Sequence, residues 1–124
     1  MSTAEDLEFL ENLKSEFYDE AYEFLNDCES VILQYEKQPE SELTKEYMRI
    51  LHSMKGSAKA VDLDRIAHAL HLMESKCTES DSPTFVNETL KAIDCLRESL
   101  DSFRNHDYDS GGQSIESLIK SLED

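Results

Sequence analysis

Apolar residues recur at helical spacing along almost the whole chain, and the breaks between stripes are short. Leu10, Leu13, Phe17, Ala21, Phe24, Cys28, Val31 and Tyr35 form one uninterrupted stripe that runs to "KQPES", which predicts a long first helix stopped by Pro39. Ser41 is the expected cap of a second helix with the stripe Leu43, Tyr47, Leu51, Met54, Ala58 and Val61. Asp62 is the expected cap of a third, with Leu63, Ile66, Leu70, Met73 and Cys77. "TESDSPTF" reads as a turn, with Ser82 as cap and Pro83 at the first helical position. A fourth stripe then runs through Val86, Leu90, Ile93, Leu96, Leu100 and Phe103. The polar, glycine-containing "NHDYDSGG" reads as a loop before a short fifth helix with Ile115, Leu118, Ile119 and Leu122. No strand pattern of comparable strength competes.

Amphipathic helices joined by short connections favour antiparallel neighbours. The expected fold is all-α: an up-down four-helix bundle with one additional helix, first or last, beside it or across one end. At 124 residues, 39% apolar and 32% charged, the chain is expected to be a single domain over 1–124 with a real core. It has no apolar run long enough for a membrane span, and an acidic N-terminus where a signal peptide would be basic, so a cytoplasmic protein is expected. Cys28, Cys77 and Cys95 are odd in number and sit on or beside apolar positions, which suits buried free thiols. There is no CxxC or HxxxH pair for zinc, and a metal site built on His68, His71 and Cys77 has only one close helical pair.

Charge changes the picture more than composition does. A net −16 argues against nucleic acid and anionic membranes as partners. Residues 1–46 carry 14 acids and 3 bases (−11), and residues 77–124 carry 11 and 4 (−7). Residues 47–76 carry 3 acids and 5 bases, a positive island of +2. That island contains "LHSMKGSA", residues 51–58.

On a helical wheel His52 lies well off the stripe formed by Tyr47, Leu51, Met54 and Ala58, so it should face solvent. Helical side chains lean toward the N-terminus, and the residue that would overhang the imidazole, at i+4, is Gly56. Glycine there costs about 1 kcal/mol against alanine, which an uninvolved surface has no reason to retain. Lys55 and Lys59 lie on the same side as His52 and suit an anion. On the third helix "HALHLMES" places His71 and Glu74 on the flank beside the apolar stripe, with His68 turned to solvent. If the two helices are antiparallel neighbours, Glu74 can accept one ring N–H of His52 and leave the other nitrogen free to attack. Such an imidazole is a nucleophile for phosphorus. No ATP-binding motif is present, so the phosphoryl donor must be another protein or domain.

"HSMKGSA", His52 to Ala58, resembles the H-x-x-K-G-[SG]-A signature of histidine phosphotransfer (HPt) domains. The likeness is strongest to the N-terminal phosphotransfer domain of CheA-type chemotaxis kinases, whose opening helix "EFYDEAYEFLNDCE" also resembles. "HLMES" falls at the matching distance. Ser57 departs from the second glycine usual in chemotaxis kinases, and free-standing phosphotransfer proteins often have serine there. The resemblance implies a phosphoryl carrier with no enzyme activity of its own and no cofactor. His52 would be the acceptor, Lys55 a charge and hydrogen-bonding residue, Gly56 an access residue, and His71 and Glu74 supporting contacts. The implied partners are a histidine kinase and a response-regulator receiver domain, the latter docking near Met48, Arg49 and Lys59. The carrier is expected to be a monomer. The competing expectation from another class is a helical adaptor that carries no phosphoryl group; the related one is the first domain of a longer CheA-like kinase.

Overall fold

The computed structural model describes residues 3–79 and 84–123. Five helices follow in order: α1 (Ala4–Lys37), α2 (Ser41–Ala60), α3 (Asp64–Glu79), α4 (Phe85–Arg104) and α5 (Tyr108–Glu123). No strand occurs among the described residues. The expected cap Ser82 and the expected first helical residue Pro83 lie outside them.

Cross-helix contacts fix the directions. Met48 and Thr78 meet between α2 and α3, as do Lys55 and Glu74, so the pair is antiparallel. Asp19 pairs with Arg104 and Glu29 with Arg97, so α1 and α4 are antiparallel too. On α3 and α5, Arg65 pairs with Glu116 and His68 with Glu123, in the same chain direction. The result is the expected up-down bundle of α1 to α4. The last helix is the addition: α5 lies in the seam between α3 and α4, which touch each other far less than either touches α5.

The α2 stripe is buried as its periodicity predicts, at Tyr47, Leu51, Met54 and Ala58. On α4 the buried face is rotated toward Phe85, Thr89, Ala92, Ile93, Leu96, Ser99 and Leu100, while Val86, Leu90 and Phe103 are only half-buried. A helix packed against both α1 and α5 buries a wider sector than one stripe, which brings in two hydroxyls. Ser99 is satisfied by donating to the Cys95 carbonyl at 3.1 Å. With 34 residues α1 is about 50 Å long, and its first turns overrun the bundle, leaving Leu7 and Phe9 exposed. A capping box between Thr3 and Asp6, absent from the stripe-based expectation, starts it.

Three local expectations are corrected. Ser41 does not cap α2: Glu40 occupies the cap position with extended backbone, and Ser41 is the first helical residue. Asp62 does not cap α3; it ends α2, with φ 61°. There the Asp62 N–H reaches the Lys59 carbonyl and the Leu63 N–H the Ala58 carbonyl, a Schellman closure in which aspartate takes the left-handed position glycine usually fills. His106 (φ 63°) closes α4 in the same way, with Asp107 N–H on the Ser102 carbonyl. The connection to α5 is therefore short, and Gly111 and Gly112 are helical rather than loop residues. The thiols are free, but only Cys28 is buried; Cys77 and Cys95 are half-buried. Burial pushes the Cys28 thiol up to about 12, which keeps it an unreactive core residue.

Packing explains Gly111. A Cβ there would lie 2.9 to 3.0 Å from three atoms of the Phe103 ring. That ring is stacked on Tyr18 and tilted against Tyr108, so it has little room to yield. Gly111→Ala should therefore lower stability by about 1 kcal/mol, because overpacking at about 1–3 kcal/mol outweighs a gain of about 1 kcal/mol in helix propensity. Urea denaturation of the variant would show this as a lower midpoint.

Candidate functional site

The three polar members of the site, His52, Lys55 and Glu74, are set by two antiparallel helices. Burial of Leu51 and Met54 turns His52 outward, and its side chain is 75% exposed. Leu70 and Met73 are buried on α3, and Glu74, next to Met73, leans back into the α2–α3 seam with only 17% of its side chain exposed. Lys55, one turn after His52, is folded down onto it and is 14% exposed.

One carboxylate oxygen joins these residues. Glu74 Oε1 lies 3.1 Å from Lys55 Nζ and 4.0 Å from His52 Nδ1. It is cut off from solvent and has no aligned hydrogen bond, so its negative charge is held by the proximity of the ammonium alone. At 4.0 Å the imidazole is not yet hydrogen-bonded. A closing movement of about 1 Å would give the bond, a tightening usual when a resting site takes up its reactant. In that geometry Nδ1 carries the proton and faces the carboxylate, and the Nε2 lone pair faces solvent. A carboxylate behind an imidazole stabilises the positive charge that develops as the outer nitrogen attacks an electrophile.

Gly56 leaves the approach bare: a Cβ built there meets nothing within 4 Å. Its absence is therefore not a packing requirement of this chain. Gly56→Ala should raise stability by up to about 1 kcal/mol, the opposite sign to Gly111→Ala, and the two urea curves run side by side would display the contrast.

The other sequence-selected residues divide. Arg49 and Lys59 are exposed on α2, and half-buried Met48 contacts the Thr78 hydroxyl through its sulfur at 3.9 Å. His71 is exposed, and among the described residues no hydrogen bond or ion pair joins its ring to His52, Lys55 or Glu74. His68 is not free in solvent as expected; its Nε2 lies 3.4 Å from Glu123 on α5, the helix that fills the seam beside it. His68, His71 and Cys77 do not converge, and no group of three or more metal-binding side chains occurs among the described residues. No helix among them is long and apolar enough to cross a membrane.

An exposed imidazole backed by a buried carboxylate on an antiparallel bundle is the arrangement that the motif resemblance leads one to expect, and comparison with known families decides the matter. Residues 12–106 match the family model of the Hpt domain. The chain belongs to the Hpt domain family. Its business is histidine phosphotransfer within a phosphorelay, as a carrier of the phosphoryl group. Among curated proteins it is similar to the sensor histidine kinase CheAY of Helicobacter pylori, at 24% identity over an alignment of 124 positions that covers 92% of this chain. The alignment covers 15% of that kinase, so this Hpt chain corresponds to a small part of the relative's length. No solved structure gives a significant match.

Proposed function

We propose that His52 is the residue that carries the phosphoryl group. The observation that supports this most is the single buried oxygen of Glu74, held by Lys55 behind an otherwise exposed imidazole. In the forward step the Nε2 lone pair attacks phosphorus, an N–P bond forms, and the bond from phosphorus to the donor oxygen breaks. The leaving group is ADP when the donor is ATP held by a kinase, or an aspartyl carboxylate when the donor is a phosphorylated receiver. Nδ1 keeps its proton, and Glu74 stabilises the imidazolium character that results. In the onward step a receiver aspartate attacks, an O–P bond forms, and the N–P bond breaks.

Lys55 has three donors, so an ammonium paired with Glu74 can still meet a phosphoryl oxygen. Gly56 provides access for the incoming domain, while Arg49 and Lys59 add positive charge to the approach and Met48 an apolar contact. His71, exposed and unconnected, is assigned at most an outer contact. A single continuous core from α1 to α5 supports treating residues 1–124 as one domain.

To test the reading, the protein is incubated with a CheA-type kinase and ATP, then with a receiver domain. Phosphate should appear on the chain, be labile in acid and stable in base, and pass to the receiver; a chain that stays unlabelled contradicts it. The similarity to a longer kinase favours a second version, in which the same carrier is one segment of such a kinase. The full-length reading frame discriminates the two versions.

A further inference from the structure

Away from His52, the fold leaves a cavity where α5 stops. The α5 terminus lies beside the first half of α3, with Glu123 near His68, so Met73 and Lys76 extend past it. Among the described residues α5 holds α3 and α4 apart, and a cavity of about 490 Å³ lies between them against the last two turns of α5, which contribute Ser117, Leu118, Ser121 and Leu122 to its lining. Its floor and walls include Tyr47, Met73, Phe85 and Leu122, and the charged side chains lining it are Lys76, Lys91 and Glu88. The hydroxyl-bearing side chains of Tyr47 and Thr89, both buried, also line it.

We propose that this cavity binds an amphipathic monoanion, a medium-chain carboxylate, with its chain on Met73, Phe85 and Leu122 and its head between Lys76 and Lys91. The volume falls in the range of small-ligand sites, which combine an apolar lining with a few polar groups. Charge selects the head. Among the described residues neither lysine forms an ion pair, whereas Glu88 already accepts a hydrogen bond from Thr84 at 2.9 Å. The chain's net −16 does not oppose this at physiological salt, where screening over about 8 Å leaves the local lysines dominant.

The test titrates methyl-labelled protein with decanoate below its micelle concentration and follows the Met73, Leu118 and Leu122 methyl signals. Saturable shifts are expected, weakened roughly tenfold in the double variant Lys76→Gln/Lys91→Gln, the scale of two exposed ion pairs. Decylammonium, with the same chain and the opposite head, should bind more weakly than decanoate. Ala92→Phe, which fills the cavity, should abolish the shifts; should that variant not fold, the lysine variant and the head-group comparison still decide. Absence of saturable shifts, equal affinity for the two head groups, or unchanged affinity in the lysine variant would overturn the proposal. So would protein-dependent shifts of the same methyls without decanoate, which would make a second copy of the chain the occupant.

Discussion

His52→Gln is expected to abolish phosphorylation of the chain while leaving its unfolding midpoint almost unchanged. Both halves follow from exposure. A side chain that is 75% exposed and makes no aligned hydrogen bond contributes little to the fold, and surface substitutions of this kind usually stay within about 0.5 kcal/mol. Glutamine keeps a polar group of similar reach but has no nucleophilic nitrogen, since its amide lone pair is delocalised into the carbonyl. Parallel labelling and urea denaturation of wild type and variant check the prediction. Labelling of the variant at the wild-type rate would mean that another residue carries the phosphoryl group.

Glu74→Gln is expected to slow phosphorylation roughly 10- to 100-fold, the scale seen when the orienting partner behind a histidine is removed. The amide can turn either its oxygen or its NH₂ toward Nδ1. In the second orientation the proton is driven to Nε2 and the attacking lone pair is lost. Even in the first, the negative charge that stabilises the imidazolium is gone. The variant also leaves the Lys55 ammonium, 14% exposed, without its carboxylate, so some loss of stability accompanies the loss of rate. A purely structural role for Glu74 would lower stability without altering the ring. The discriminating measurement is therefore the nitrogen chemical shifts of His52, which should move toward the Nε2–H tautomer in Glu74→Gln and return in Glu74→Asp if the shorter carboxylate still reaches. Unchanged tautomer populations together with unchanged rate would remove Glu74 from the mechanism.

Much of this site was legible before any coordinates, because one helix face settles it. The apolar stripe of α2 determines which way His52 points, and Gly56 is open in the structure as its position after the histidine implied. Glu74 and His71 were harder to separate. Three residues apart, they differ by roughly 60° around the helix, and the sequence stripe does not say how far α3 is rotated in the seam. The rotation turns Glu74 inward and leaves His71 outside. Nor did the pattern show Lys55 folding down onto Glu74 instead of standing free; charge near the histidine was visible, its pairing was not.

The fold misreadings each have a physical cause of their own. Glycines at 111 and 112 mark a loop by propensity, but Gly111 sits in a helix because Phe103 occupies the place of its side chain. Asp62 looked like a start signal for α3 and is instead the left-handed stop of α2, since aspartate suits both positions and only the backbone path decides. His68 belongs beside Glu123 because α5 fills the α3–α4 seam, a long-range contact that no local pattern on α3 contains.

Nitrogen-detected NMR of the phosphorylated chain, with ¹⁵N-labelled histidine, locates the phosphoryl group atom by atom, since the four imidazoles His52, His68, His71 and His106 can be told apart. One phosphoramidate is expected, on Nε2 of His52, with a proton retained on Nδ1 and the other three rings unmodified. A phosphoryl group on Nδ1 of His52, or on any other histidine, would contradict it.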